Sequence, residues 1–241
     1  MNIIIPLGGK GERFKKEGYI LPKPLIKVLD KEILFYVIDN LDIQSIDKVY
    51  IIYNKELDEY NFNEIIKKKY PFIELIKLNY DTKGASETIY IGTEYIIKNG
   101  NYNNKTILID GDTFYRENIL KKFREINNNA VFYVKNYDTN PIFSYIKLDS
   151  NDIITQIKEK DKISDNANTG VYAFNNINLL NKYCKYVLDN ELFFKNEPYT
   201  SCVIDIMLKN NEVFKGIELK EDKVFILGTP RQVNEFIEKE S

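Results

Sequence analysis

The chain has 241 residues, 44% hydrophobic and 29% charged, with a formal net charge of -2. That balance is an ordinary globule's and excludes an overall field that would draw in nucleic acid or an anionic membrane, so any phosphate site has to be local. With no histidine, Ser-His and Cys-His catalysis and histidine-ligated metals are excluded, which leaves Lys, Arg, Asp, Glu, backbone amides and a hard cation for the chemistry.

In chain order, Asn2 to Leu7 is an apolar run cut off by Gly8-Gly9, as a buried parallel strand requires. Lys31 to Leu41 is predicted helical, because Ile33, Leu34, Val37, Ile38 and Leu41 share one face. Val49 to Tyr53 reads as strand, Asn63 to Lys69 as helix, Phe72 to Leu78 as strand and Ala85 to Lys98 as helix. Thr106 to Ile109 is a strand ending at Asp110-Gly111-Asp112. This alternation implies a parallel sheet with helices on both faces. The second half changes character. Ala130 to Lys135, Phe143 to Leu148, Ile153 to Lys158 and Gly170 to Phe174 are closely spaced strands, an antiparallel or mixed extension. Helices are predicted near Leu179 to Leu188 and Ser201 to Lys209, strands at Val213 to Glu218 and Val224 to Leu227, and a closing helix from Arg231 to Glu240.

The expected fold class is α/β: one Rossmann-like, mostly parallel central sheet flanked by helices, with a mixed extension on the acceptor side. A single domain over 1–241 is expected, with a nucleotide-binding half at 1–115 and an acceptor-binding half at 116–241. Cys184 and Cys202 have no partner motif and read as buried thiols of a reducing compartment. The start lacks a signal-peptide pattern, and no apolar run reaches the roughly 20 residues of a membrane helix, so a cytoplasmic protein is expected, monomeric or a small homo-oligomer.

Leu7-Gly8-Gly9-Lys10-Gly11-Glu12-Arg13-Phe14 follows the first strand. Glycines let backbone amides approach a phosphate, and the Arg13 guanidinium can fork onto its oxygens. A plain glycine turn is the bland alternative. A Rossmann dinucleotide loop is another, but Phe14 stands where it wants a third glycine, and Gly18 and two prolines speak against a prompt helix start. Leu21-Pro22-Lys23-Pro24-Leu25 presents Lys23 on an extended backbone, which suits a phosphate ligand near a glycine loop; a solvated surface lysine is the alternative. Tyr145, Tyr172 and Tyr199 are expected in the core rather than in a pocket.

Leu7-Gly8-Gly9-x-Gly11-x-Arg13 followed by Pro22-Lys23-Pro24-Leu25 resembles the signature of the sugar-phosphate nucleotidyltransferases, with a GT-A-type fold. Further segments match in order. Lys83-Gly84-Ala85-Ser86-Glu87-Thr88 resembles the nucleobase loop, and Asp110-Gly111-Asp112 the strand end whose last aspartate binds magnesium. Lys158-Glu159-Lys160 resembles the strand whose Glu meets sugar hydroxyls and whose Lys meets the substrate phosphate. Asn168-Thr169-Gly170-Val171-Tyr172 resembles the loop lining the sugar, and Gly228-Thr229-Pro230 the closing turn. With the stretch Ser144-Tyr145-Ile146-Lys147-Leu148-Asp149 and Tyr199 before a helix, the likeness is nearest to a branch often found in capsule or surface-glycan contexts.

The resemblance implies an NTP, with UTP or CTP favoured, and a phosphomonoester as substrates, and Mg²⁺ as cofactor. It implies Leu7, Gly8, Gly9, Gly11, Glu12, Arg13, Lys23, Gly84, Ala85, Ser86 and Asp112 at the nucleotide. Glu159, Lys160, Asn168 and Gly170 fall at the acceptor, Asp112 at the metal, and Arg13, Lys23 and Asp112 in catalysis. One departure stands out: Ile226 occupies the place of a second metal-binding aspartate. Asp110 or Asp205 is a candidate replacement, although a capping or solvated role suits each better. Three other functions are open: a cytidylyltransferase for a non-sugar phosphate, a nucleotide-sugar glycosyltransferase using Asp110-Gly111-Asp112, and a silent nucleotide-binding regulator.

Overall fold

The computed structural model of the chain describes residues 1–100 and 104–240. In chain order the elements begin with β1 (Asn2–Leu7), α1 (Glu12–Lys16), a 3₁₀ turn (Lys23–Leu25), β2 (Lys27–Val28), β3 (Lys31–Glu32), α2 (Ile33–Asp39), β4 (Lys48–Asn54), a 3₁₀ stretch (Lys55–Tyr60), α3 (Phe62–Lys69), β5 (Glu74–Leu78) and α4 (Ala85–Lys98). They continue with β6 (Thr106–Ile109), β7 (Thr113–Tyr115), α5 (Ile119–Arg124), β8 (Asn129–Lys135), β9 (Ser144–Leu148), β10 (Ile154–Glu159), β11 (Asn166–Phe174), α6 (Ile177–Asp189), α7 (Thr200–Lys209), β12 (Phe214–Glu218), β13 (Val224–Ile226) and α8 (Pro230–Glu240).

A nine-stranded sheet runs in the order β10-β9-β11-β6-β1-β4-β5, with β8 pairing β11 and β12. β6, β1, β4 and β5 are parallel neighbours, while β11 joins β6 antiparallel and leads into the antiparallel β8, β9 and β10. The α/β class and the mixed extension are therefore both observed. Side-chain alternation divides the core into two layers. Ile3, Ile5 and Leu7 of β1 pack beneath α2, α5 and α8, and Ile4 faces the layer that holds α4, α6 and α7. The same split occurs in β4, where Val49 and Ile51 face one layer and Tyr50 and Ile52 the other. A strand buried on both faces has to be apolar throughout, which is why these runs read as strands at all.

Several local expectations need correcting. A five-residue helix, Glu12–Lys16, follows the glycine loop at once, entered through Gly11 at φ 67. The left-handed residue turns the chain without needing the following glycine or a proline-free stretch. Lys31 and Glu32 pair with β2 as a hairpin, so the helix begins at Ile33. The segment matched to a sugar loop is strand: β11 starts at Asn166 and carries a register shift between Asn168 and Tyr172, around Gly170 at φ 85. Its polar residues are satisfied inside the sheet. The Asn166 amide donates to the Ile146 carbonyl at 3.1 Å and the Thr169 hydroxyl to the Phe132 carbonyl at 3.0 Å. β13 is apolar as expected, yet half-buried.

Candidate active site

β1 has β6 on one side and β4 on the other, so the direction of winding reverses beside β1. Open α/β sheets leave a crevice at the carboxyl ends of strands at such a reversal. The glycine loop after β1 and Asp110-Gly111-Asp112 after β6 both emerge there. They line a cleft of about 800 Å³ together with Lys23, Ser144, Glu159, Lys160, Asn168, Gly170, Tyr172, Tyr199, Ile226 and the turn at Gly228-Thr229. Residues separated by more than two hundred positions thus share one space.

The centre of the cleft is an ion pair. Pro22, at ψ 146, leads into the 3₁₀ turn that Lys23 opens. From there the Lys23 ammonium donates to Asp112 Oδ2 at 2.7 Å. The Thr113 hydroxyl donates to Asp112 Oδ1 at 3.3 Å, and the Leu227 N–H to the Asp112 carbonyl at 2.7 Å. Burial pushes the Asp112 carboxyl up, but the Lys23 charge and hydrogen bond outweigh it and hold it below the ordinary carboxylate range. Asp110 moves the other way: burial first, then repulsion from Asp112, raise its carboxyl, and the more distant Lys23 offsets only part of this. The pair is crowded by backbone on two sides. A Cβ on Gly170 would lie 2.5 Å from Asp110 Oδ2, and one on Gly228 would lie 2.8 Å from Asp112 Oδ2.

On the loop side, Lys10 is engaged by Asp81 at 2.7 Å and Glu56 at 3.2 Å, and Lys15 by Glu12 and Glu56 at 3.6 Å. Arg13 lines the cleft exposed, with no carboxylate partner among the described residues. On the opposite side, Ser201 donates to Glu159 Oε2 at 2.7 Å and Lys160 Nζ to the Tyr199 hydroxyl at 2.6 Å. Burial raises the Glu159 carboxyl, and Ser201 and Lys160 only partly counter it. Asn168 is committed internally: its amide nitrogen donates to Ser144 Oγ at 3.0 Å and its oxygen accepts the Gly170 N–H at 2.8 Å. It shapes the bulge in β11.

The expected nucleobase residues do not join this cleft lining. Ser86 is fully buried, its N–H bonded to the Pro198 carbonyl at 2.9 Å and its hydroxyl to the Tyr199 carbonyl at 2.8 Å. Its side chain therefore cannot meet a base from this position; Gly84 and Ala85 remain half-exposed beside it. The segment that covers Ser86 lies more than a hundred residues away, which no local motif discloses. Leu7 is core, and Gly8 carries its backbone against Thr88. Asp205 pairs with Lys209 at 2.7 Å and Lys158 at 3.9 Å, on the far side of Glu159, and does not line the cleft. Asp110 does. Tyr199, expected in the core, stands half-buried in the cleft wall instead, directly before α7.

The nucleotidyl transferase family profile matches residues 2–197. Among curated proteins, the bifunctional protein GlmU of Methanocaldococcus jannaschii is 25% identical over 223 residues, 91% of this chain and 49% of that protein. The chain thus spans about half the length of the curated relatives it matches. Among solved structures, the nucleoside-diphosphate-sugar pyrophosphorylase of Vibrio cholerae aligns with a TM-score of 0.84 at 18% identity, covering 99% of this chain and 100% of that one. The CTP:phosphocholine cytidylyltransferase of Streptococcus pneumoniae aligns with a TM-score of 0.73 at 16% identity, covering 100% and 99%. At these identities the likeness shows the shared fold, while the profile match over most of the chain shows the family: this chain belongs to the nucleotidyl transferases.

Proposed function

We propose that the chain transfers a nucleotidyl group from an NTP to a phosphomonoester, a sugar 1-phosphate in the first instance, and releases pyrophosphate. The Lys23–Asp112 contact carries this reading: it places a cation and an anion between a glycine loop bearing Arg13 and a strand end bearing Glu159 and Lys160. A phosphomonoester oxygen is already nucleophilic, so attack on the α-phosphorus needs no general base, which suits a chain without histidine. What remains is positioning and charge neutralisation. Arg13 and the amides of Gly8, Gly9 and Gly11, with Leu7 and Glu12 framing the loop, hold the β- and γ-phosphates. Lys23 spans the α-phosphate and the incoming phosphate, Lys160 anchors that phosphate, and Glu159 meets the acceptor body. The backbone of Gly84 and Ala85 borders the base, with UTP or CTP favoured. The surface-glycan setting belongs to this proposal too.

Magnesium fits the donors present. Asp112 and Asp110 offer hard carboxylate oxygens whose mutual repulsion a dication would relieve. No group of three or more acidic or thiol ligands gathers among the described residues, so waters and substrate phosphates would have to supply the remaining ligands. Bound there, Mg²⁺ would neutralise phosphate charge; Asp112 would hold it, the same carboxylate that Lys23 pairs with in this structure.

A second reading, a cytidylyltransferase for a non-sugar phosphate, has its support in the likeness to the phosphocholine enzyme. A matrix of the four NTPs against sugar 1-phosphates and amino-alcohol phosphates, read by pyrophosphate release, separates the two. Silence across the matrix with Mg²⁺ present would defeat both.

A further inference from the structure

One short run of residues joins the acceptor side of the cleft to the start of α4 behind it. At α4, the Pro198 and Tyr199 carbonyls take the two hydrogen bonds of Ser86 described above. Toward the acceptor half, Ser201 holds Glu159, and the Tyr199 hydroxyl accepts from Lys160 Nζ at 2.6 Å. Tyr199 donates in turn to Glu197, and the ammonium lies 4.4 Å from the centre of the Tyr199 ring.

Lys160 depends on such a partner. Its backbone is fixed at φ 47, with its N–H on the Phe143 carbonyl at 2.9 Å. Its side chain, 33% exposed, is a flexible stem, and the Glu159 carboxylate at 4.0 Å is too far for a hydrogen bond. Among the described residues the Tyr199 hydroxyl is the hydrogen-bond acceptor that fixes the ammonium. An ammonium carries three donors, so one bond to Tyr199 leaves others for phosphate oxygens. A phenol that donates to Glu197 while accepting from Lys160 is polarised in the direction that strengthens the second bond.

We infer that Tyr199 is a positioning residue of the phosphomonoester subsite: its hydroxyl, oriented by Glu197, sets the Lys160 ammonium where it meets the acceptor phosphate. Its main chain ties that element to the Ser86 turn. The inference rests on the proposed reaction and on Lys160 as phosphate ligand. The test is Tyr199→Phe, which keeps the ring and removes the hydroxyl. The acceptor KM should rise about tenfold, the scale of one charge-assisted hydrogen bond, with kcat and the NTP KM within about twofold. Glu197→Gln, which leaves the phenol an acceptor but a weaker one, should raise it by less. In parallel, the ¹⁵Nζ resonance of the Lys160 ammonium should be visible in the unliganded wild-type protein and lost to rapid exchange in Tyr199→Phe. Equal changes in both KM values, or a fall in the acceptor KM, would overturn the assignment. If the wild-type protein released no pyrophosphate with any substrate pair, the proposed reaction would fail, but the ammonium signal would still judge Tyr199. Its loss on Tyr199→Phe supports the positioning role; its absence from wild type or persistence in the variant defeats it.

Discussion

Lys23→Met tests the centre of the site, because it removes one charge and keeps most of the side-chain volume. At 2.7 Å, with 26% of Lys23 and 20% of Asp112 exposed, the pair is partly screened. Coulomb attraction at that separation is roughly 6 kcal/mol for an effective dielectric of about 20, and desolvation of both groups returns over half of it, leaving about 2–3 kcal/mol. If the same ammonium faces the transferring phosphate, its loss costs the transition state a similar amount, so kcat should fall by roughly 100-fold. A second consequence has the opposite sign. Asp112, relieved of its ammonium and still beside Asp110, becomes a better ligand for a free dication. The variant should therefore take up Mg²⁺ in the absence of nucleotide more tightly than wild type, measured by calorimetry, while pyrophosphate release collapses. Near-normal turnover in a folded Lys23→Met protein would refute the mechanism. Lost turnover with unchanged or weaker Mg²⁺ uptake would mean that Lys23 does not compete for the metal carboxylate.

Asp112→Asn should abolish Mg²⁺-dependent pyrophosphate release, and activity surviving in that variant or in EDTA would move the metal elsewhere. Glu159→Ala should raise the acceptor KM well beyond any change in the NTP KM; equal changes would misplace the acceptor subsite. The Glu159 carboxyl is raised, chiefly by burial, so it favours the folded state in its neutral form: that contribution is present below its unfolded pKa and is lost as pH rises through the folded one. Glu159→Gln should accordingly flatten the decline in thermal stability over that window, and an unchanged profile would assign the decline to other groups. Gly170→Ala meets both a φ of 85 and a Cβ placed 2.5 Å from Asp110 Oδ2, and should cost about 2 kcal/mol or more in denaturant unfolding.

What could be read without the structure followed from strand burial. β1 and β6 are short apolar runs closed by Gly8 and by Asp110-Gly111, so their boundaries are chemical, and Ala85–Lys98 shows its inward face directly. β11 shows the limit. Its first four residues are Asn, Ala, Asn and Thr, polar enough to read as loop, yet they lie in the sheet because Ile146, Ser144 and Phe132 supply their hydrogen-bond partners. Tertiary partners overrode local composition there. The site divides in the same way. Lys23, Asp112, Glu159 and Lys160 sit at strand ends or rigid turns, and Arg13 in the short helix after the glycine loop; short motifs mark all five, and they meet in one cleft. Ser86 also belongs to a marked motif, but its surroundings are set by Pro198 and Tyr199, and such a contact leaves no trace in local spacing.

Ile226 stands where the family resemblance implies a second metal-binding aspartate. β13 pairs antiparallel with β7, and Ile226 lies opposite Thr113, next in sequence to Asp112. The closing turn then returns the Leu227 N–H to the Asp112 carbonyl and brings Gly228 against its carboxylate. The backbone that would present a second acid is therefore in place, half-buried and lining the cleft, and carries an alkyl group instead. A carboxylate there would add a third negative charge beside Asp110 and Asp112, with Lys23 as the balancing cation at 2.7 Å from one of them. Without a resident dication that crowding is costly. Ile226 relieves it, which supports the proposed reading in which a magnesium ion would arrive with the triphosphate, Asp112 would hold it, and phosphate oxygens and waters would supply its other ligands. Asp110 is the acid placed to assist in that reading: burial, and after it the charge of Asp112, raise its carboxyl, and an arriving cation would counter the second of these.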